Sequence, residues 1–457
     1  MHINTTVPES LKKDKFGMGI GGFGYNLAAA GIMTYLTLFY TDNMLISAAS
    51  VSMILFVSRI IDACTDLLVG TLVDRTKTKW GKARPWLLWM AVPAALSLSA
   101  TYFVPAFSDT GRVVYAFITY NLMAFFFQTA IALPLQSLVA LITPDPKHRL
   151  HLSQLYGFFT TAGAVLVNFF ATPIMQALGG GSRGYFLYFT ITGIIGLFLI
   201  LVCFKLTTER TESSEGPIQE KIPVSEGIKI VMRNRYWWNA LGIYLMTSLV
   251  PACWAATAYY CIYWLNGGVD VGVLMSMLWG GITVGIILFA PVSQKLGKMP
   301  SAAIGLGMQA LGSVLLWLAP TSIPMLWVST AFRSLGVGGL SGNMNAMLAE
   351  VADYGEWKFG KRTEGLVYSG ASFGGKVGSG IGGAVVAGLL AWGQYVPNAP
   401  TQAPLAMNAI KIAFVGAPFI GSSLIIIMLL FFNVEKKMPQ IRKDLEERKA
   451  KAQAQTL

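Results

Sequence analysis

Long apolar runs separated by short polar turns make up most of the 457-residue chain. A helix needs about 20 apolar residues to cross the hydrocarbon core of a bilayer, and twelve runs come close to or exceed that length. The pattern therefore predicts an all-α integral membrane protein with twelve transmembrane helices. The predicted spans lie near residues 18–41, 49–73, 86–104, 113–141, 153–177, 185–206, 238–264, 271–294, 301–319, 323–349, 365–393 and 408–433.

The longest polar gap divides the twelve runs into two groups of six. We predict an N-terminal six-helix half, a cytoplasmic central loop, a C-terminal six-helix half and a charged cytoplasmic tail. The tail is rich in Ala, Glu and Lys, and we expect it to form a solvated helix. The predicted bounds of these four parts are 1–206, 207–235, 236–433 and 434–457.

The two halves carry a similar basic turn after their second helix. In the first half it occupies residues 75–85, and in the second half it is the shorter stretch 294–300. Two six-helix halves with a basic turn at the same place in each are typical of the major facilitator fold. In that fold the halves rock about a site near the membrane midplane.

The charge of the chain predicts its orientation. Charged residues are only 12% of the total, about half of the roughly 25% found in soluble proteins, which excludes a soluble enzyme. Of the 34 Lys and Arg residues, 28 fall on one side if both termini are assigned to it, and only Arg112 and Arg183 fall on the other. Because cytoplasmic loops collect basic residues, both termini are predicted to be cytoplasmic, in a bacterial inner membrane. Topology explains the net charge of +12, so we expect no nucleic-acid partner.

Several motifs are better explained by packing than by chemistry. Residues 17–22 and 378–383 both match GxGxxG, but they lie in apolar helices and follow no strand, so we interpret them as sites of close helix packing. The three histidines are scattered, no GxxxxGK[ST] occurs, and the four cysteines lie in apolar runs. We expect no cofactor, no metal site beyond the one considered next, and four reduced, packed thiols.

Two carboxylates in the second span are the sharpest chemical signal. Asp62 and Asp66 are four residues apart, so their side chains share a helix face at a spacing of about 5–6 Å. In an apolar span they repel unless a bound Na⁺ or a shared proton lies between them. Thr65 and Thr129 are neutral oxygen donors that could complete a cation shell, although threonine in a membrane helix often bonds its own backbone.

Other charged groups lie in or beside the spans, where burial is costly. Arg59 or Lys376 could form a structural ion pair with one of the two aspartates, which is the alternative to a cation site. Lys376 could instead grip an anionic or hydroxyl-rich substrate. Glu350 and Asp353, at the cytoplasmic end of the tenth span, are expected to form a solvated or salt-bridged gate.

Five groups of motif residues occur together between Gly17 and about Lys436. They are Tyr40-Thr41-Asp42, Arg59-x-x-Asp62-x-x-x-Asp66, the basic stretch 75–85, Pro134-x-x-Ser137-Leu138, and Asp353-Tyr354-Gly355-Glu356-Trp357 followed by Arg362-x-Glu364-Gly365-x-x-Tyr368-Ser369. With these motifs the chain resembles the glycoside–pentoside–hexuronide:cation symporters, the family of melibiose permease and the bacterial glucuronide carriers. The resemblance covers nearly the whole chain.

The resemblance implies roles for particular residues. Asp62 and Asp66 would bind the coupling cation, which is Na⁺, Li⁺ or H⁺, with Thr129 nearby. Arg362 would join the two acidic residues at the gate. The expected substrate-binding residues are Tyr25, Asn26, Gln136, Tyr156, Ser372 and Lys376.

The predicted substrate site departs from the melibiose permease pattern, because it lacks the carboxylates of that pattern. An asparagine in the first span is closer to the glucuronide branch, and an uncharged site that retains Lys376 suits an anionic sugar. The departures are Tyr25 for a lysine, Asn26 and Ala132 for aspartates, Gln136 for a tryptophan, and Tyr156 or Gly157 for an arginine.

The function expected from these features is secondary active transport. A cation moving down its gradient would carry a glycoside, pentoside or hexuronide into the cell, through a monomer surrounded by membrane lipid. One alternative is a carrier of another amphiphile, such as a lysolipid. An intramembrane enzyme would need a nucleophile and a base in the spans, where no histidine lies. A channel would need no coupled carboxylate pair.

Overall fold

The computed structural model describes residues 9–456 apart from residues 144, 211–223 and 362. The described part is helical. Its helices are α1 (Glu9–Leu38), α2 (Ala48–Arg75), α3 (Arg84–Thr101), α4 (Asp109–Met123), α5 (Ala132–Ile142), α6 (Pro146–Ala177), α7 (Gly181–Leu206), α8 (Val224–Arg233), α9 (Arg235–Ala252), α10 (Ala256–Tyr259), α11 (Val271–Leu296), α12 (Lys298–Leu318), α13 (Ile323–Ser341), α14 (Met344–Phe359), α15 (Glu364–Trp392), α16 (Pro404–Lys411), α17 (Ala417–Phe431) and α18 (Val434–Thr456).

All twelve predicted spans coincide with helices, although the predicted fourth and tenth spans each cross a turn between two helices, at residues 130–131 and 342–343. The all-α membrane class is confirmed. Eight segments of the described chain are long and apolar enough to cross a membrane, while the number of twelve spans stays a prediction. The eight are Asp109–Ile142, His151–Ala177, Gly181–Leu206, Arg235–Trp264, Val271–Leu296, Lys298–Leu318, Leu366–Trp392 and Pro404–Phe431.

Short π-helical turns interrupt or extend several helices. In such a turn each N–H bonds to the carbonyl five residues earlier, and π turns are frequent at functional sites. Those at 39–43 and 260–264 end the first and seventh predicted spans, and the other two lie within the fourth and twelfth. They are Phe39–Asn43, Ala124–Thr129, Tyr260–Trp264 and Ile412–Gly416.

The chain forms two compact units, which we describe separately. The first contains Met1–Glu215, Trp254–Gly280 and Gly383–Ile410, and the second contains Gly216–Cys253, Gly281–Gly382 and Lys411–Leu457. These units differ from the predicted halves, because segments 254–280 and 383–410 group with the first six spans. The halves describe a repeat in the sequence and stay a prediction.

Helix α1 is central in the first unit, where it packs against α6 and α7. Glycines permit the close approach. A Cβ at Gly22 would lie 2.8 Å from the carbonyl oxygen of Tyr156, and a Cβ at Gly163 would lie 2.7 Å from that of Phe23. Both distances are shorter than real Cβ contacts, so these helices meet only because a side chain is missing. The packing role predicted for residues 17–22 is confirmed.

Helix α15 packs equally closely against α9 in the second unit. Gly374, Gly378 and Gly382 follow one another at four-residue intervals and so lie on one face. A Cβ at Gly378 would lie 2.0 Å from the carbonyl oxygen of Leu245, and one at Gly382 would lie 2.5 Å from that of Leu249. The packing interpretation of this motif is confirmed at Gly378.

The C-terminal helix α18 is helical as predicted, but it is not solvated all round. Met438, Ile441 and Leu445 recur every three or four residues and are buried. Trp357 on α14 donates a hydrogen bond from Nε1 to Asp444 Oδ2 at 2.7 Å. The prediction of a solvated tail was wrong for this face, because its apolar residues pack against the rest of the second unit.

The four cysteines are free thiols. Cys203, Cys253 and Cys261 are buried as predicted, but Cys64 is exposed. The prediction of a packed thiol was wrong at Cys64, which lies on the same exposed stretch of α2 as Ile60 and Leu68.

Candidate cation and sugar site

The helix of the fourth predicted span is broken close to Thr129. Helix α4 ends at Met123, a π turn follows, and α5 begins only at Ala132. Pro134 has no N–H, so the carbonyl of Ala130, four residues earlier, receives no helical hydrogen bond from it. Irregular backbone within a span is tolerated where it is buried in protein or lines a cavity. The break leaves Thr129 at the end of the π turn.

The hydroxyl of Thr129 bridges the two aspartates of α2. Its Oγ1 lies 3.1 Å from Asp62 Oδ1 and 3.0 Å from Asp66 Oδ1. A hydroxyl has a single proton, so it can donate to only one of the two carboxylates at a time. Asp62 is 2% exposed and Asp66 is half-buried. The structure therefore brings together the three residues predicted to bind a cation.

Thr65, the other candidate oxygen donor, is oriented differently. Its hydroxyl donates to the backbone carbonyl of Asp62 at 2.9 Å. This is the backbone bond expected of a threonine in a membrane helix. The local helix thus occupies the hydroxyl of Thr65, whereas that of Thr129 reaches across to a neighbouring helix.

A guanidinium group stands beside the carboxylates. Arg59 Nη1 lies 3.6 Å from Asp62 Oδ2 and donates to Gln128 Oε1 at 3.2 Å. The ion pair considered as an alternative from the sequence is therefore present for Asp62. Two carboxylates and one guanidinium carry a formal charge of −1. One monovalent cation or one proton would neutralise these three groups.

Four predicted substrate residues also lie in the first unit. Tyr25 stacks on Phe127 with ring centroids 5.4 Å apart, and it is close enough to Tyr156 and Asp62 to interact electrostatically with both. The side chains of Tyr156 and Gln136 lie close enough to influence each other. These polar groups therefore form one neighbourhood with the carboxylates.

Asn26 has a different partner. Its Nδ2 donates to the backbone carbonyl of Thr160 at 2.8 Å and so ties α1 to α6. This bond occupies one of the donors that a substrate could use. Ala132, at the position of a carboxylate in the melibiose permease pattern, is buried and begins α5.

The remaining two substrate candidates lie in the second unit, on α15. Lys376 is half-buried and Ser372, one turn earlier, is exposed. Lys376 is two residues from Gly374 and from Gly378, so it lies on the side of α15 opposite to α9.

The predicted gate contains a buried ion pair. Glu350 is 2% exposed, and its Oε1 pairs with Lys298 Nζ. Burial raises the pKa of the Glu350 carboxyl above its ordinary value, and Lys298 opposes this rise. Asp353 is half-buried on the same helix, and Arg362 lies outside the described residues. Of the two forms considered for Glu350, the structure has the salt-bridged one.

Sequence reasoning missed two features of the site. One is Gln128, whose hydrogen bond with Arg59 no pattern in the sequence indicates. The other is the π turn, whose sequence signal is Pro134 one turn after it. A proline within a span signals a local break, but it does not say which side chain the break turns toward the neighbouring helix.

The sequence matches one known family and several named relatives. Residues 17–436 match the family described as MFS/sugar transport protein. The isoprimeverose transporter of Lactiplantibacillus pentosus is 32% identical over 96% of this chain and 92% of its own. A protein of Escherichia coli (strain K12) named for glycoside/cation symport is 29% identical over 92% of both chains.

The fold also has solved counterparts. A bacterial homologue of the human lysosomal transporter Spinster, solved in an inward-facing and unoccupied conformation, has a TM-score of 0.69 to this structure. It covers 94% of this chain and 97% of its own, at 13% sequence identity. This likeness concerns the fold alone.

Proposed function

Because the chain belongs to the MFS/sugar transport protein family, and is therefore a multi-pass membrane transporter and not an enzyme, we propose that it is a cation-coupled symporter. It carries a glycoside, pentoside or hexuronide into the cell across a bacterial inner membrane. It acts as a monomer with both termini in the cytoplasm. The observation that carries the proposal is the hydroxyl of Thr129 within hydrogen-bond distance of both Asp62 and Asp66.

The coupling cation binds at the two carboxylates. An oxygen from each of Asp62, Asp66 and Thr129 supplies the hard ligands that Na⁺ or Li⁺ requires, and the same pair could hold one proton. Arg59 compensates one of the two negative charges, so a single cation would neutralise Asp62, Asp66 and Arg59 taken together. An uncharged cluster can then pack between helices, which favours the conformation that accepts substrate.

The sugar binds beside the cation. Tyr25, Gln136 and Tyr156 supply an aromatic face and neutral hydrogen-bonding groups, which suit a hydroxyl-rich ring. On α15, Lys376 and Ser372 are further residues that we assign to substrate binding, and Lys376 provides one positive charge. The name of the isoprimeverose transporter supports a glycoside as substrate, while Lys376 also suits a hexuronide.

The central test compares carboxylate variants in membrane vesicles. A panel of glycosides is first screened by thermal shift, with and without Na⁺, to find a transported sugar. We expect Asp62→Asn and Asp66→Asn to abolish accumulation against a gradient, because the cation site loses a charge. Counterflow of the same sugar should survive, since the sugar contacts remain. The matched control is Asp109→Asn, which changes a carboxylate that is 98% exposed.

Thr129 provides a finer test of the same site. Thr129→Val keeps the shape of the side chain but removes the oxygen, and we expect the cation concentration for half-maximal uptake to rise on the order of tenfold. Thr129→Ser should restore it. Full accumulation by both aspartate variants, together with normal cation dependence of Thr129→Val, would show that the driving cation binds elsewhere.

A further inference from the structure

A second polar cluster lies at the far end of α1, away from the cation site. Asp42, in the π turn after α1, accepts a hydrogen bond from the hydroxyl of Tyr395, which lies 2.9 Å from Oδ2 and 3.1 Å from Oδ1. The hydroxyl of Tyr263 lies 2.9 Å from that of Tyr395. Asp42, Tyr263 and Tyr395 form a continuous chain of polar atoms, which we call the latch.

A second set of hydrogen bonds lies beside the latch. Thr41 Oγ1 lies 2.7 Å from the hydroxyl of Tyr259, which is fully buried. Asn398 Nδ2 donates to the backbone carbonyl of Asp42 at 2.8 Å. The ring of Tyr395 meets that of Tyr259 edge-on, with centroids 5.2 Å apart. The end of α1 is thus held from two directions.

The partners come from distant parts of the sequence. Asp42 follows the first predicted span, Tyr263 ends the seventh and Tyr395 follows the eleventh. These three spans are odd-numbered, so with cytoplasmic termini each of them ends at the outer face. All three residues belong to the first compact unit. The latch therefore joins the first predicted half to the second at the outer face.

We propose that the latch is the outer gate of the transport cycle, a proposal that rests on the topology and the symport function given above. When two halves rock about a central site, bonds between them at one face must break each time that face opens. Hydrogen bonds to a carboxylate are stronger than bonds between neutral groups. The latch holds the outer face closed, and the sugar reaches its site from outside only after these bonds break.

The surroundings of the latch fit this role. A cavity of about 550 Å³ borders it and is lined by Asp42, Tyr263 and Asn398 among others. Water in this cavity can solvate the carboxylate once Tyr395 withdraws, which lowers the cost of opening. One turn before Thr41, Thr37 is only 4% exposed. Position 37 is therefore shielded from solvent while the bonds of the latch are formed.

The experiment measures access to position 37 from outside. Thr37→Cys is introduced into the full chain after the four native cysteines are replaced by alanine, and right-side-out vesicles are treated with a membrane-impermeant maleimide. We expect Tyr395→Phe to raise the labelling rate on the order of tenfold, the effect of losing one hydrogen bond to a charged group. Tyr263→Phe should raise it less, because Tyr395 still holds Asp42.

The matched control is Tyr115→Phe. The hydroxyl of Tyr115 donates to the carbonyl of Ala100 at 2.8 Å, so the same atom is removed within the first half alone. Labelling should then stay at the starting rate. If Tyr395→Phe and Tyr263→Phe both match Tyr115→Phe, the latch proposal is wrong.

A further arm separates failure of the latch from failure of the topology. Asp109→Cys, at an exposed position on the predicted outer face, should label from outside in every background. If it labels only from inside, the proposed orientation is wrong. If it labels from outside while Thr37→Cys is unaffected by Tyr395→Phe, only the latch is overturned. Neither readout requires the sugar to be known.

Discussion

The turns before α3 and α12 are each capped by the carboxylate of one glutamate. Glu209 accepts the backbone N–H groups of residues 82–84 at 2.8–2.9 Å. Glu435 accepts those of residues 298 and 299 at 2.8 and 3.1 Å. The first N–H groups of a helix have no partner within the helix, so an outside acceptor stabilises it there. Each glutamate follows the sixth span of its half, so the same device occurs twice.

One residue explains why the second turn has one bond fewer. The sequence Gly81-Lys82-Ala83-Arg84 corresponds to Gly297-Lys298-Met299-Pro300. Proline has no N–H, so the third donor of the first turn has no counterpart in the second. Both glycines have positive φ, 102° at Gly81 and 96° at Gly297. The two turns therefore share a glycine with positive φ and differ in the number of backbone N–H groups that the glutamate satisfies.

The turns also differ in what else they contact. Arg84 Nη2 donates to the carbonyl of Phe204 on α7 at 2.6 Å, and the guanidinium lies 4.8 Å from the Phe204 ring centroid. The second turn has Lys298, which pairs with Glu350 on α14. The first turn is thus tied to a neighbouring span within its unit, whereas the second is tied to the predicted gate. The first turn therefore forms the stronger helix cap, and the second turn forms a cap that is connected to the predicted gate.

The largest effect is expected when the carboxylates are removed. Glu209→Ala leaves three backbone N–H groups without their acceptor, and we expect it to lower the free energy of unfolding by about 3–5 kcal/mol. Glu435→Ala leaves two and should cost about 2 kcal/mol. Unfolding of the purified protein by denaturant measures both. The glutamine variants keep an acceptor oxygen and should lose less. Equal losses from the two alanine variants would contradict the difference between the turns.

A smaller loss of stability is expected when Gly81 or Gly297 is replaced. A Cβ at Gly81 would lie 2.3 Å from Glu209 Cδ, whereas one at Gly297 would lie 3.2 Å from Glu435 Oε1. Both alanine variants are strained by their positive φ, at a cost of about 1–2 kcal/mol. Gly81→Ala must also displace the carboxylate, so it should be the less stable by about 1 kcal/mol or more. Thermal denaturation of the two variants side by side decides the order.

The smallest effect on stability is expected at Pro300, and it tests whether the missing proline N–H makes the second cap weaker. Pro300→Ala returns an N–H to the second turn, while it loses the restriction that proline places on the unfolded chain, so its own effect should be close to zero. The cost of Glu435→Ala should grow by about 1 kcal/mol in this background, because a third donor is then lost. A double-mutant cycle measures that difference. Purely additive variants would show that the missing N–H does not set the strength of the cap.

The positions of the helices could be predicted because apolar runs report directly on burial in lipid. The spacing of Asp62 and Asp66 likewise placed two carboxylates on one face. The bridge through Thr129 could not be predicted, because it depends on a π turn whose extra residue leaves no regular pattern in the sequence. The docked face of α18 was missed because its three apolar residues are spread through a strongly charged segment. Helix periodicity is local information, whereas these contacts depend on tertiary packing.

The contact of α15 with α9 has a consequence for genetic variation. At Gly378 the backbone of the neighbouring helix lies where a side chain would begin. The size and polarity of a substituted side chain therefore make no difference to the clash. Every codon change that alters the amino acid at this position adds a Cβ, and no substitution is conservative. In a saturation library selected for transport, codon 378 should retain only synonymous changes, whereas the codon for Phe373, an exposed residue on the same helix, should accept several amino acids. Selection at such a glycine acts on the absence of an atom.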